Sequence, residues 1–469
     1  MSTAVIGAGI SGLTAAFELA QAGEKVTVFE ANDRIGGSLV GSDLGGYAHG
    51  DVGAEASLYA RPETRELMQR LGLEPQYPST EHKSQLLVGG QLMKIPAGTL
   101  MGVPGRHTDV TGVVSPAGVE RLQQEQLNGS QDDPSVGEFI AQRLGAEVVD
   151  TLVDPLLAGV YAGSAYHLSL RSTLPALLEA ARENTSVLDA VDQILASRRV
   201  TQGANIPGTT ARPVFVSLDG GMNGLARALY ERCRELGVTF RLGEKVSRVR
   251  AGYSLTVSGP QGERAEVANR VLIATPAPVA GQLLGSLGED LGNSELAGAG
   301  AALERVETAN SAVVTAVLEC ASELTGSGFL IPPNESTFIK ASTFASNKWP
   351  WLQARIPDGT AVVRMSVGRY RSTELATHTD EQLAQKSVAD WMSITGRSDR
   401  VLHTEVWRHV GALPQYQPGH AHMVSGVDSV VKRIPTLGLV GNAFEGVGIP
   451  ACINRARSEV QRLITERTA

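Results

Sequence analysis

Ala4-Val5-Ile6-Gly7-Ala8-Gly9-Ile10-Ser11-Gly12 opens the chain with a short apolar run and a G-x-G-x-x-G turn. The residues that follow recur at helical spacing, with Leu13, Ala16, Phe17 and Ala20 on one face and Gly23 placed to end the helix. Lys25-Val26-Thr27-Val28-Phe29-Glu30 then reads as a buried parallel strand ending in an acid. Strand, glycine turn, helix, strand and acid in this order predict a dinucleotide site in a Rossmann-like α/β domain. Gly7 permits the tight turn, Gly9 lets the backbone approach a pyrophosphate, and Gly12 lets the helix pack closely on the strand. The helix N-terminus offers free N–H groups and a partial positive charge to phosphates. Glu30 stands where a carboxylate accepts from ribose hydroxyls. The alternative is a glycine-rich turn in an ordinary α/β core.

Asp33-Arg34-Ile35-Gly36-Gly37 comes directly after the acid. A nicotinamide site has no need of an arginine and a glycine pair there. The segment resembles the second signature of the FAD-dependent superfamily that includes amine oxidases and phytoene desaturases. That resemblance implies Arg34 and the glycine backbone against the diphosphate and flavin; alone, Arg34 reads equally well as a surface ion pair.

Composition bounds the rest. The 469 residues are 42% hydrophobic and 19% charged, enough apolar material for several domain cores. The 52 glycines fall into no repeat, so they predict tight turns and close approaches of backbone to ligand. Cys233, Cys320 and Cys452 have no C-x-x-C spacing, which argues against a zinc site or a disulfide framework and suits a reducing, cytoplasmic setting. A net charge of −8 gives nucleic-acid binding no support. No apolar run is long enough to span a bilayer, and a strand beginning at Thr3 leaves no room for a leader.

Outward from the motif, the chain divides into six segments. Residues 1–80 form the first part of the nucleotide domain, with a small-residue loop around Asp51 to Ala56 and a helix over 62–73 stopped by Gly72. Residues 81–104 begin a strand-rich substrate domain, with a hairpin turning at Gly89-Gly90. Residues 105–210 are a mainly helical insertion. Its first part, 105–135, is polar and reads as a flexible surface segment. Its second part carries Val136, Phe139, Ile140 and Leu144, then Val148, Val149, Leu152 and Val153, at core-facing helical spacing. A weak peripheral membrane face is the other reading of that stripe. Residues 211–286 resume the nucleotide domain, with strands over 213–218 and 238–242, a helix to Leu236, a hairpin over 245–258, and a buried strand from Arg270 to Thr275. Residues 287–405 return to the substrate domain, and 406–469 close the nucleotide domain with strand, glycine turn and helix.

Several longer segments point further. They are MKIPAGTLMGVP at 93–104, LVDPLLAGVYAG at 152–163, LSLRST at 168–173, SNKWP at 346–350, LPQYQPGH at 413–420 and GNAFEGVGIPACI at 441–453. With VIGAGISG at 5–12 and EANDRIGGS at 30–38, they resemble the protoporphyrinogen/coproporphyrinogen oxidase family of flavoproteins nearly end to end. The resemblance is strongest to its bacterial coproporphyrin-forming branch. It implies an FAD enzyme that oxidises a porphyrinogen to a porphyrin, with oxygen as acceptor and three hydrogen peroxide molecules released. By the family motif, FAD contacts fall on Gly7, Ala8, Gly9, Ile10, Ser11, Gly12, Glu30, Ala31, Arg34, Gly37 and Ser38. They continue on Gly53, Ala54, Glu55 and Ala56, on Val246 through its backbone, on Trp407, and on Val447, Gly448 and Ile449. No metal is implied. Where relatives often carry an acid, this chain has Ala451.

Such a reaction needs positioning rather than covalent catalysis, since a meso C–H flanked by two pyrroles is a ready hydride donor to flavin N5. A tetracarboxylate substrate meeting a net-negative protein calls for a local cationic mouth. Arg61 is the first choice, with Lys348, Arg364, Arg171 and Lys83 behind it; each also reads as an ordinary solvated cation. His420, Tyr416 and Phe444 are candidate walls or plain core, and Cys452 reads as an inert buried thiol. Coproporphyrinogen III oxidase leads over protoporphyrinogen IX oxidase, because no membrane anchor is visible. Another amine-oxidase-like flavoenzyme and a flavin- or haem-binding chaperone remain. The reactive product suggests hand-off to a ferrochelatase.

Overall fold

The computed structural model describes residues 2–127, 132–182, 185–201 and 213–465. The expected insertion over 202–210, with 211 and 212, lies outside the described residues.

At its centre are five parallel strands. Their spatial order is Thr239–Leu242, Lys25–Glu30, Ser2–Ile6, Arg270–Ile273 and Leu437–Leu439. Segments far apart in the chain complete this sheet, because a parallel sheet needs crossovers and both faces covered. Val5, Val28 and Leu272 point to one side, where they pack with Leu13 and Phe17, Leu225 and Leu229, and Ile453 and Val460. These come from helices Ile10–Gln21, Asn223–Glu235 and Ile449–Thr465. Ala4, Ile6, Phe29 and Ile273 point to the other side, against Leu283 and Leu287 of helix Ala277–Asp290. Ser2–Ile6 has Lys25–Glu30 on one side and Arg270–Ile273 on the other, so strand order reverses at the first strand. In open α/β sheets the ligand crevice opens beyond the carboxyl ends at such a switch point.

A second, seven-stranded sheet runs Arg400–Pro414, Thr308–Glu319, Thr360–Val367, Ala341–Phe344, Gly328–Leu330, Ser84–Val88 and Gln91–Lys94. Alternation along its strands splits its residues between two faces. Ala312, Val314, Val363 and Met365 pack with Trp391 of helix Asp380–Thr395. Thr315 and Arg364 are paired across two central strands, with Glu405 beside Thr315. Glu405 Oε2 accepts from Ser42 Oγ (2.6 Å) and Arg364 bonds to Glu55, so this row meets the loops that leave the first sheet.

A helical unit covers the far end of the second sheet. Its core joins Phe139, Ile140, Leu152, Leu157 and Leu170 to Leu86 of the sheet. Helix Val136–Leu144 and the helices after it carry the predicted apolar stripe, interrupted by a π-helical turn over Val149–Val153. Within 105–135 the described residues depart from expectation. Val110, Val113, Val114 and Leu122 are buried in the helical core, and Pro116–Gln123 is a helix capped by Ser115, whose Oγ accepts from Gly118 N (3.1 Å). Its apolar residues follow no clean period among the polar ones, so only tertiary contact reveals their burial. Likewise the hairpin predicted over 245–258 is part of a three-stranded sheet completed by Gly262–Val267. Among the described residues, no helix is long and apolar enough to cross a membrane.

Candidate active site

The glycine loop takes the conformation that its residues allow. Gly7 has φ +110° and donates to Phe29 O (2.7 Å). A Cβ on Gly7 would lie 2.6 Å from Ala274 O, and one on Gly12 only 1.9 Å from Gly7 O. Those two glycines are required by the fold itself. Gly9 differs, since a Cβ there would meet nothing nearer than Gly37 Cα at 3.9 Å. Its missing side chain leaves space over the N-terminus of helix Ile10–Gln21, which has no side-chain cap and no acid in its first turn. Uncapped N–H groups and the helix dipole favour an anion there. Glu30 Oε2 accepts from Ala8 N (2.8 Å) and Oε1 from Asn32 N (2.9 Å), which fixes the carboxylate at the end of its strand beside the loop. Ala31, next in the chain, is exposed.

Gly36 and Gly37 fold back on this loop. Gly36 N donates to Ala8 O (2.8 Å) and Gly9 bridges Gly36. Arg34 is not a surface ion pair. Its Nη1 donates to Gly37 O (2.9 Å), and its guanidinium lies 4.8 Å over the Trp407 ring. Burial lowers its pKa against the pull of Glu30 and Asp33. Trp407, from the edge strand of the second sheet, is thus brought to the glycine pair.

The loop of Gly53, Ala54, Glu55 and Ala56 runs alongside. Ala54 N donates to Ser38 O (2.9 Å), and a Cβ on Gly53 would lie 2.2 Å from that oxygen. Glu55 anchors the loop to the second sheet. Its carboxylate takes Lys348 Nζ at 2.5 Å and Arg364 Nη1, while Arg364 Nη2 bonds Gly53 O. Burial pushes the Glu55 carboxyl up, but the two cations outweigh it and hold its pKa down at about 2. His409 on the same edge strand is pushed down to about 4 by burial and by Arg364, Arg34 and Lys340. Three basic side chains thus approach His409, and one of them, Arg364, is paired with the Glu55 carboxylate.

Val447 and Gly448 precede the C-terminal helix, which begins at Ile449. That helix packs beside Ile10–Gln21, and Val447 also touches the helical unit's core. Val246 is buried in a strand two residues beyond Glu244, whose N–H donates to Glu30 O (2.9 Å). Arg61 stands apart from these groups. It is 44% exposed and donates through Nε to Glu63 Oε1 (3.0 Å). Of the other cations considered, Lys348 and Arg364 are committed to Glu55, Arg171 to Asp132 (2.9 Å), and Lys83 is exposed. Phe444 is buried with Arg455 over its ring, and burial raises the Cys452 thiol to about 11. Sequence reasoning missed Asp51, which accepts from Met222 N (2.7 Å) and Asn223 N (3.0 Å) and ties the loop to helix Asn223–Glu235. The paired signals were an acid before the loop and Gly220-Gly221-Met222-Asn223 far downstream. Glu405 was missed with no signal at all.

The profile of flavin-containing amine oxidoreductases matches residues 10–464. A coproporphyrinogen III oxidase of Mycobacterium bovis is 34% identical over 99% of this chain and 97% of its own length. The protoporphyrinogen oxidase of Homo sapiens is 29% identical over 97% and 96%. A solved structure from Exiguobacterium sp. 255-15, provisionally named a protoporphyrinogen oxidase, superposes with a TM-score of 0.80 at 25% identity, covering 99% of each chain. With a glycine loop open to an anion and likeness over its whole length, the chain is a flavin enzyme that belongs to the flavin-containing amine oxidoreductases and, among them, to the protoporphyrinogen/coproporphyrinogen oxidase family.

Proposed function

We propose that the protein is an oxygen-dependent coproporphyrinogen III oxidase that uses FAD and forms coproporphyrin III in haem biosynthesis. The observation that carries the reading is the glycine loop, open to a diphosphate at the uncapped N-terminus of helix Ile10–Gln21. The similarity to coproporphyrinogen III oxidases over full length supports it.

The residues fit FAD. Space at Gly9 and the uncapped helix N-terminus suit its diphosphate, and Glu30 suits its ribose. Ala8, Ile10, Ser11, Gly37 and Ser38 line the same approach, and Val246 takes the adenine end. Gly53, Ala54, Glu55 and Ala56 face the flavin ring with Trp407, Val447, Gly448 and Ile449. When bound, FAD would supply the hydride acceptor for a meso carbon and the route of the electrons to oxygen, with three hydrogen peroxide molecules released per porphyrin. The chain's own work is to hold the macrocycle against the ring, to exclude water, and to offset carboxylate charge. Arg61 meets a substrate carboxylate by exchanging Glu63 for it. The segments 1–80, 211–286 and 406–469 serve FAD and 81–104 and 287–405 the substrate, with the strand Arg400–Pro414 crossing the last boundary and 105–210 a mainly helical insertion. The enzyme works in the cytoplasm, with at most weak membrane contact, and passes its product to a ferrochelatase.

The test is a paired assay of porphyrin fluorescence in air, with coproporphyrinogen III and protoporphyrinogen IX at matched concentrations and autoxidation subtracted. A higher kcat/KM for coproporphyrinogen supports the proposal. Preference for protoporphyrinogen, the substrate named for the human relative, moves the enzyme to that reaction. No rate on either removes the substrate reading.

A further inference from the structure

The segment 413–420 makes contacts in two directions. Tyr416 and His420 are 2% and 7% exposed, and their rings stack at 4.1 Å between centroids and 14° between planes. Toward the C-terminal turn, Tyr416 OH donates to Asn442 O and His420 Nε2 bonds the next carbonyl, Ala443 O, at 2.8 Å. Toward the helical unit, Tyr416 O accepts from Ser169 N (2.7 Å). Gly419 N donates to Asp133 Oδ2 (2.8 Å), whose Oδ1 accepts from Ser169 Oγ (2.7 Å).

The turn so held has reason to need holding. Gly441, Gly446 and Gly448 punctuate it, and the first two have φ of +141° and +134°. A glycine-rich turn samples many conformations unless outside contacts select one. Its two clamped carbonyls lie five and four residues before Val447, which touches the same core as Tyr416.

We propose that Tyr416 and His420 are positioning residues, a stacked pair that sets the turn against the flavin and locks it to the helical unit. The inference rests on the reading that flavin lies against Val447, Gly448 and Ile449. Neither ring has to touch substrate for this. Each supplies a buried neutral donor, and losing one strands a carbonyl in the turn.

The test uses the full chain loaded with flavin and measures flavin affinity by titration. Tyr416→Phe keeps the ring stack and deletes one donor, and flavin should bind about tenfold more weakly. His420→Leu should lose about thirtyfold, and His420→Gln, which keeps an amide donor, should recover to within about threefold of the unchanged protein. A change under threefold in both Tyr416→Phe and His420→Leu overturns the proposal, even if both melt at lower temperature, because a merely structural role would move only the melting. Should the variants not fold, hydrogen exchange of the unchanged protein with and without flavin decides. Flavin should slow exchange in both 442–449 and 164–171, and protection confined to 442–449 overturns the coupling. These readouts need no porphyrinogen, so they stand or fall apart from the substrate assay. An unchanged protein that binds no flavin would sink the flavin reading itself.

Discussion

The glycine loop and the Glu55 ion cluster serve the same proposed flavin, and they are built in opposite ways. The loop is made of backbone. Its parts are adjacent in the chain, and Gly7 and Gly12 are required because carbonyls crowd them: Gly7 O lies where a Gly12 Cβ would go. The cluster is made of side chains brought from positions 55, 348 and 364. Each of its members is an ordinary charged residue in the sequence, and only the pairing makes it special. Geometry read through the backbone is intolerant of a single methyl, whereas charge read through side chains is intolerant of a missing partner.

The sharpest break on the loop side is Gly12→Ala. A Cβ 1.9 Å from Gly7 O forces the helix off the strand, so the nucleotide domain should lose about 4 kcal/mol or more, measured by urea unfolding, and the protein should purify without flavin. On the cluster side, Glu55→Gln leaves Lys348 and Arg364 without their anion and should cost about 3 kcal/mol. The same carboxylate predicts a pH dependence. Its pKa is about 2 in the folded protein against an ordinary 4.5, so its contribution is complete above about pH 4.5 and is lost as pH falls toward 2. At about 1.4 kcal/mol per pH unit this is about 3 kcal/mol, and the Glu55→Gln variant should lack that slope.

Smaller effects sharpen the contrast. Gly9→Ala has room for its methyl in the protein alone, so the flavin-free melting temperature should hold while flavin binds about tenfold more weakly. An equal fall in melting temperature would show that Gly9, too, belongs to the fold rather than to the ligand. Arg61→Ala should matter least. Its ion pair with Glu63 is half exposed, so stability should change by under about 0.5 kcal/mol. KM for coproporphyrinogen should rise about fivefold with kcat within twofold, and an unchanged KM removes Arg61 from the site.

Much of the fold was legible. The strand Lys25–Glu30, the helix after the glycine turn, the hairpin at Gly89 and Gly90, and the return of Arg270–Ile273 to the first sheet all stand as the residues imply. Each is announced by a local period or by a glycine at a turn. The stretch over 105–135 was illegible because its buried valines are set among polar residues, so nothing local marks them as core. Some of the glycine excess was also misread. Gly281 and Gly300 serve a helix crossing in which a Cβ on Gly281 would lie 2.6 Å from Gly300 O, rather than a turn or a ligand.

By itself the sequence determined that a dinucleotide fold begins the chain, which glycines open its loop, and which family its longer segments resemble. These rest on short-range sterics and spacing, which neighbouring residues carry in full. Only the tertiary structure decided that Lys348 and Arg364 both belong to Glu55, that Arg34 lies on Trp407, and that Tyr416 and His420 hold consecutive carbonyls of a distant turn. A charge or a ring carries no mark of its partner along the chain. Partnership is set when two sheets close on one another, and the cost of burying an unpaired charge or carbonyl then selects among the partners within reach.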